Sequence, residues 1–359
     1  MKYRTTNVFA EKSYTADFTE LIDLNVGDPI SELLIKYKGL NTTGSAGATA
    51  HPAKCVTKVE ISNGSDILFS LSGLDLYALA IIHNKNVAAN WIQYLNDNYF
   101  DLSLRINFGR RLWDPELALD PKQFPNLQLK IVSDMDAGGV APDASKLDVW
   151  AHCFDEKQIS PIGFLSSKLI KEYTMGDASH EYTDLPTDNI IRKILMRALV
   201  AGTEPYGVLA NVKLDVDNDR HVIIDCNSDN LQWLFPEENI NVLEGFVAQN
   251  DGSQRSYYNT PTAKVFGNVN EWTAAASAYF AFYDGDGGRC KIDGSSGVNF
   301  VCQLHGYCPN GVISIPMGNQ NDIEDWFDPE GLKSLRLDMK SASSMTNAAQ
   351  ILLQTLRKY

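Results

Sequence analysis

Through much of the chain apolar residues fall at every second position, the spacing of half-buried strands. In Thr57–Ile61, Val59 and Ile61 lie on one face and Lys58 and Glu60 on the other. In Asn211–Val216, Val212, Leu214 and Val216 alternate with Lys213 and Asp215. Two runs, Ile190–Val200 and Val222–Ile224, are apolar on both faces, which predicts strands central to a sheet. Arg192, Lys193 and Arg197 punctuate the first of them and are expected to cover its ends or to contact a neighbour. Helices are expected in two places. Val87, Trp91, Tyr94 and Leu95 fall at helical spacing, and Ile162–Tyr173 has helical propensity.

The strand-like runs recur in one order. Ile30–Lys38 matches Ile190–Ala198, and each is followed by a Gly-containing break and a hairpin with a polar tip. The tip is Asn63-Gly64-Ser65 in the first copy and Asp217-Asn218-Asp219 in the second. After the tip, Ile67–Leu79 lies over Val222–Leu234 without a gap. Further on, Ile106–Gly109 matches Ile315–Gly318, Asn126–Ile131 matches Ser334–Met339, and Leu147–Phe154 matches Ile351–Tyr359. A repeat of this kind makes the chain two copies of one β-rich domain.

The copies differ between their third and fourth blocks. Pro236–Asn310, rich in Gly, Asn, Tyr and Ser, is too long for a structureless loop in a compact domain. It is expected to be an insertion with strands of its own, including Trp272–Tyr283 and Gly297–Leu304, standing off the second copy. The expected domains are residues 1–158, with a lead-in arm, and 159–359, carrying an insertion at about 236–310. Gly39–Pro52 is expected to be a mobile loop.

With 359 residues, each copy can bury a core of its own. The net charge of −14 argues against a surface wrapped in nucleic acid, which needs clustered Lys and Arg. No apolar run approaches the length needed to span a bilayer, and the N-terminal segment lacks the apolar stretch of a secretory signal. Cys153 and Cys226 sit in apolar runs and are expected in the core, as in a protein made in a reducing cytoplasm.

Four clusters have the residue types of a chemical site. Asp215–Asp219 resembles the start of a calcium loop, but it lacks the Gly and the distal Glu in register and sits at a hairpin tip. Asp284–Gly288 is a second acidic loop, read as a plain turn. Cys290, Cys302, His305 and Cys308 are residue types that bind zinc, at a spacing that fits no common site. Trp272, Tyr279, Phe280, Phe282 and Tyr283 offer either a sugar-binding platform or core. No residue is assigned a catalytic, cofactor-binding or metal-binding role, and no cofactor is expected.

Two successive β-rich copies point to two eight-stranded sandwiches, for which the jelly roll is the common architecture. Tyr182–Leu199 and the hairpin after it, together with Ile106–Ile131, resemble strands of the double jelly-roll major capsid proteins of tailless icosahedral viruses, especially bacterial ones that enclose a membrane. The resemblance spans nearly the whole chain as a pattern, without an invariant motif. It implies an all-β fold of two tandem jelly rolls and a non-enzymatic homotrimer forming pseudo-hexagonal capsomers of an icosahedral virion. The implied partners are neighbouring capsomers, vertex or penton proteins and an inner viral membrane, with no specific nucleic-acid sequence. A carbohydrate-binding or glycan-cleaving β-sandwich is the alternative of another class; cleavage would need two carboxylates placed across a cleft. A two-domain cupin enzyme would need a His-rich metal set, and His51, His83, His152, His180, His221 and His305 are dispersed.

Overall fold

A computed structural model describes residues 2–42, 49–138, 144–272 and 278–359. The first half contains β1 (Tyr3–Tyr14), β2 (Phe18–Asp23), β3 (Ile30–Asn41), β4 (Val56–Asn63), β5 (Asp66–Leu71), helix α1 (Gly73–Asn84), β6 (Ile92–Gln93), β7 (Asn98–Asn107), β8 (Leu127–Ser133) and β9 (Ser145–Phe154). Eight of these strands pair in the orders β1-β9-β3-β7 and β2-β8-β4-β5, the two facing sheets of a jelly roll.

The second half repeats the arrangement. It contains β10 (Gly163–Thr174), β11 (His180–Asp184), β12 (Ile190–Ala198), a helical turn α2 (Pro205–Val208), β13 (Leu209–Val216), β14 (His221–Asn227) and helix α3 (Asn230–Leu234). Then come β15 (Val242–Gln249), β16 (Arg255–Tyr258), β17 (Ala263–Glu271), β18 (Phe280–Tyr283), β19 (Arg289–Gly294) and β20 (Asn299–Tyr307). The chain closes with β21 (Val312–Pro316), β22 (Leu335–Ser341) and β23 (Ala348–Lys358). The sheets are β10-β23-β12-β21 and β11-β22-β13-β14, the same order as in the first half. The fold is two tandem jelly rolls with short helices and a long insertion, β15–β20, in the second.

The repeat read from sequence is a repeat of position. β3 and β12 are third strands of their rolls, β5 and β14 fifth strands, β8 and β22 the next to last, β9 and β23 the last. One register differs. β3 carries a bulge at Ser31 and β12 one at Arg192, so Ser31 corresponds to Arg192 and not to Ile191. A bulge adds a residue to one strand and shifts all that follows.

The rolls stand the same way up. Ser70 of β5 pairs in parallel with Lys168 of β10, which fuses one sheet of each roll into the run β2-β8-β4-β5-β10-β23-β12-β21. One end of the block carries the connections β3–β4 and β5–β7 and the whole β15–β20 insertion. The opposite end carries the chain termini, where Tyr3 pairs with Phe154 and Gly163 with Lys358.

Several expectations are corrected. Ile162–Tyr173 is not helical: β10 pairs along its length with β23, which supplies the partner that decides between strand and helix. The Val87–Leu95 spacing makes no helix either, since Ile92 and Gln93 pair with Phe246 and Val247 of the insertion. The helix of this region is α1, which begins inside Ile67–Leu79 and runs on to Asn84; the gapless match to Val222–Leu234 is a strand followed by a helix in both copies. Val222–Ile224 is not central, because β14 is an edge strand with Val222 41% exposed. Cys226, on the same edge, is half-buried, whereas Cys153 is buried. The insertion does not stand off: Val242, Phe246, Tyr257, Phe300 and Leu304 belong to the hydrophobic core of the first roll. Of the expected Gly39–Pro52 loop, residues up to Asn41 extend β3 and 43–48 lie outside the described residues, as do 273–277 of the Trp272–Tyr283 run.

Helix α1 explains how the halves lock. Gly73 through Ile82 are all buried, so the helix is covered on every side, and apart from Asp75 and the Tyr77 hydroxyl that stretch is apolar. Ser72 caps it by accepting the Asp75 N–H at 3.2 Å. A Cβ on Gly73 would come within 2.3 Å of the Ala53 carbonyl oxygen and 2.6 Å of that of Val56. Gly73→Ala is therefore expected to lose at least about 1 kcal/mol to overpacking, although Ala is the better helix former by roughly 1 kcal/mol. Denaturant unfolding checks this, and a stabilised variant would show that the helix is not seated there.

Candidate functional site

The site with the densest chemistry is the joint between the two rolls. The sequence places charges within otherwise apolar strands, and at such positions a charge must find a partner or stay at an edge. Arg192, Lys193 and Arg197 of β12 lie under α1 and the segment after it. Arg197 donates to Asp75 Oδ1 at 2.6 Å and to Gln350 Oε1 at 3.0 Å. Arg192 donates to Gln354 Oε1 at 2.7 Å, stands 3.3 Å from His83 Nδ1 and lies over the Trp326 ring. Lys193, 1% exposed, is paired with Glu238. Glu238 also takes Lys85 at 3.0 Å and the Ser314 hydroxyl at 2.9 Å. All three basic residues thus contact a neighbouring unit, the second possibility read from the sequence.

Burial drives the Lys193 ammonium down to about 7 against the pull of Glu238, with Arg192 and Lys85 adding repulsion. Burial would raise the Glu238 carboxyl, but Lys193 and Lys85 outweigh it and hold it below the ordinary range. His83 is pushed well down by burial and by Arg192, Lys193 and Lys85, and stays neutral.

A second polar knot fastens the insertion. Glu244 of β15, 5% exposed, accepts the Tyr77 hydroxyl at 3.1 Å, the Thr260 hydroxyl at 2.7 Å and the Thr260 N–H at 2.8 Å. His51 Nδ1 accepts the Ala53 N–H at 3.1 Å, so the ring proton sits on Nε2, 3.3 Å from Thr260 Oγ1. Burial raises the Glu244 carboxyl, and His51 with the Thr260 hydrogen bonds more than reverses this. Tyr77 belongs to α1, His51 to the first roll, and Glu244 and Thr260 to the insertion, so the knot ties three segments together. Below it Tyr94 packs on Phe246 and Tyr257 at ring distances of 5.4 and 5.5 Å.

The clusters singled out in the sequence lie elsewhere. Asp217, Asn218 and Asp219 have φ of 52°, 55° and 65° and form the turn between β13 and β14. The Asp217 carboxylate accepts the N–H groups of Lys333 and Ser334 at 2.8 and 3.2 Å, and Asp219 pairs with Lys213. In the other acidic loop, Asp286 accepts the Val265 N–H at 3.1 Å and Asp284 faces Arg289 at 3.7 Å. The quartet Cys290, Cys302, His305 and Cys308 does not converge. Cys290 and Cys302 face each other in the core, and Cys308 donates to the Tyr206 oxygen at 2.9 Å. His305 stacks on Phe266 at 4.9 Å. All six cysteines are free. Phe280 and Phe282 pack against the first-roll core, while Trp272, Tyr279 and Tyr283 are exposed, so the aromatic run is shared between core and surface.

Sequence reading singled out the basic residues of β12 but not Glu238, Glu244, Tyr77 or Thr260, and named His51 only as one of six dispersed histidines. A signal was present for Glu244, a lone carboxylate in the apolar run Val242–Ala248. Its partners are scattered along the chain and meet only in the fold.

No family model matches the chain, and no curated protein does. Solved structures are similar to it along its whole length. One is a chain in the atomic structure of Sulfolobus Turreted Icosahedral Virus, with 12% identity and TM-score 0.64 over 100% of this chain and 92% of that one. Another is the major capsid protein P2 of Bacteriophage PM2, with 11% identity and TM-score 0.56 over 99% and 98%. A third is the capsid of the virus PBCV-1, with 10% identity and TM-score 0.57 over 98% and 94%. At these identities the likeness establishes the fold.

The joint carries a pH signature. In the unfolded chain Lys193 keeps its proton up to about 10.5, whereas in the fold it releases it near 7. The folded state therefore binds fewer protons between these values, and this group makes stability rise with pH across that window. Lys193→Met is expected to remove a slope of up to about 1.4 kcal/mol per pH unit. The check is denaturant unfolding of both proteins from pH 7 to pH 10, comparing the slopes of wild type and variant.

Proposed function

We propose that this chain is a major capsid protein, a non-enzymatic building block of an icosahedral shell. The observation that carries the reading is the rigid pairing of two jelly rolls the same way up, joined by a shared sheet, a buried helix and the insertion. Every polar cluster described above is spent on holding segments together. The whole-length likeness to shell proteins of Sulfolobus Turreted Icosahedral Virus, PM2 and PBCV-1 supports it.

The finer reading is a homotrimer whose six rolls make a pseudo-hexagonal capsomer, with residues 1–158 and 159–359 as the two roll domains and about 236–310 as the insertion of the second. The last strand of the first roll ends at Phe154 and the first of the second begins at Gly163, which supports a boundary near 158. Neighbouring capsomers and vertex or penton proteins are its partners, in the virion of a tailless, membrane-containing bacterial virus assembled in the host cytoplasm. The insertion and the termini occupy opposite ends of the block; the insertion, long and rich in Gly, Asn, Ser and Tyr, faces outward and the termini inward. Arg4 is held by Asp28 at 2.8 Å and Arg357 by Asp66, so the termini offer an inner membrane less basic charge than their sequence implies.

Light scattering and electron microscopy of the purified chain test the reading. The expected particle is a trimer of about 119 kDa, three times 39.8 kDa, with larger shells at high concentration. A protein that stays monomeric and binds or cleaves glycans would favour the β-sandwich alternative.

A further inference from the structure

The inserted strands make a small sandwich of two layers. One is the sheet β17-β20-β15-β6, and the other is β16-β19-β18. Among the described residues the second layer has no strand pairing to the first. Aromatic rings fill the space between them. Tyr257 of β16 stacks on Phe246 of β15 at 5.2 Å, and Phe280 of β18 meets Phe300 of β20 at 5.1 Å. Packing and the chain's own connections hold the second layer in place.

Two cysteines stand opposite each other in this core. Cys290 is the strand partner of Tyr257, and Cys302 is the strand partner of Phe246. Side chains of directly paired residues point to the same face of a sheet. The stacked Tyr257 and Phe246 rings therefore bring the two thiols together across the layers, where each has the other as a neighbour. Both residues are 0% exposed. The other cysteines stand elsewhere: Cys55 donates to the Met135 carbonyl at 3.4 Å, Cys308 to the Tyr206 oxygen at 2.9 Å, Cys153 lies in β9 and Cys226 in β14. Burial, with Cys302 adding to it, raises the Cys290 thiol well above its ordinary range. Exchange begins from a thiolate, so the closed insertion resists it and the layers must part first.

We propose that Cys290 and Cys302 form a disulfide when the protein meets a small disulfide oxidant such as oxidised glutathione, and that the bond locks the β16-β19-β18 layer onto β20. When the layers part, one cysteine loses its proton to solvent and its thiolate attacks a sulfur of the oxidant. A mixed disulfide forms, and the released thiolate takes up a proton. The thiolate of the other cysteine then attacks the protein sulfur of the mixed disulfide and displaces the second small thiol. Two cysteine thiols give up two protons and two electrons, and one oxidant becomes two thiols. The bond goes beyond the capsid reading, and its chemistry stands on the insertion alone. Disulfides persist in oxidising surroundings and are reduced in a cytoplasm, so the stiffness of the insertion follows the compartment.

Peptide mapping without reduction tests this on the full chain. The protein is incubated with oxidised glutathione at mildly alkaline pH, with and without mild urea, then denatured with N-ethylmaleimide present. The expected product is a peptide pair joined through Cys290 and Cys302, lighter by two hydrogens than its reduced parts and formed faster in urea, with Cys55, Cys153 and Cys308 carrying the maleimide. Cys290 and Cys302 that both carry maleimide or glutathione after oxidation in urea overturn the bond. The lock is read by trypsin at Arg289 and Lys291, which flank Cys290. Oxidation is expected to slow cleavage there by about tenfold or more, because cleavage follows the population of the opened form. The same treatment of Cys290→Ala is expected to leave its cleavage rate unchanged. A linked pair with an unchanged cleavage rate overturns the lock. Neither failure touches the capsid reading, which the size of the assembled particle decides.

Discussion

A helix that is buried on all sides and almost wholly apolar has to be enclosed, and the enclosure of α1 sets the arrangement of everything around it. Its one face packs on the first roll, where Gly73 lets the chain pass against the Ala53 and Val56 carbonyls. Its other faces meet the outer sheet of the second roll and the inserted strands. An outer sheet face would normally be polar and wet. Here Leu195, Val312 and Leu352 make it apolar, and each is 3% exposed or less. The second roll therefore cannot separate from the first without exposing both the helix and that face.

The polar residues in this apolar joint set its register. Lys193 and Glu238 are both nearly inaccessible, and such a pair regains little more than the cost of drying its charges. A buried pair of this kind penalises every arrangement in which the partners do not meet. Arg197 with Asp75, Lys193 with Glu238, and Glu244 with Tyr77 and Thr260 mark three points along the joint. A slip of the helix along the sheet would leave at least one charge unpaired, so the rolls behave as one block.

A block with two equivalent halves has an inherent asymmetry. The first roll finds its neighbour within the chain, and the second does not. The edge strand β14 and Trp233 and Leu234 of α3 stay exposed, while the face around Leu34 and Trp150 is half-buried.

Much of this was written in the local pattern. The alternation of apolar and polar residues located most of the strands, and their recurrence in order placed each at an equivalent position in two rolls. The tertiary structure decided what alternation cannot carry. Val222–Ile224 has the composition of a central strand and lies at an edge, because centrality depends on what stands alongside. Residues 163–173 and 73–84 are both short, yet the first is a strand and the second a helix, since a run of that length has no decisive period. The former is captured by β23 along its whole length; the latter is wrapped by two rolls. Glu244, Thr260, Tyr77 and His51 are far apart in sequence, so their meeting belongs to the topology alone. Local propensity and period act over a few residues, whereas burial, pairing and the pairing of charges depend on which distant segment supplies the other side.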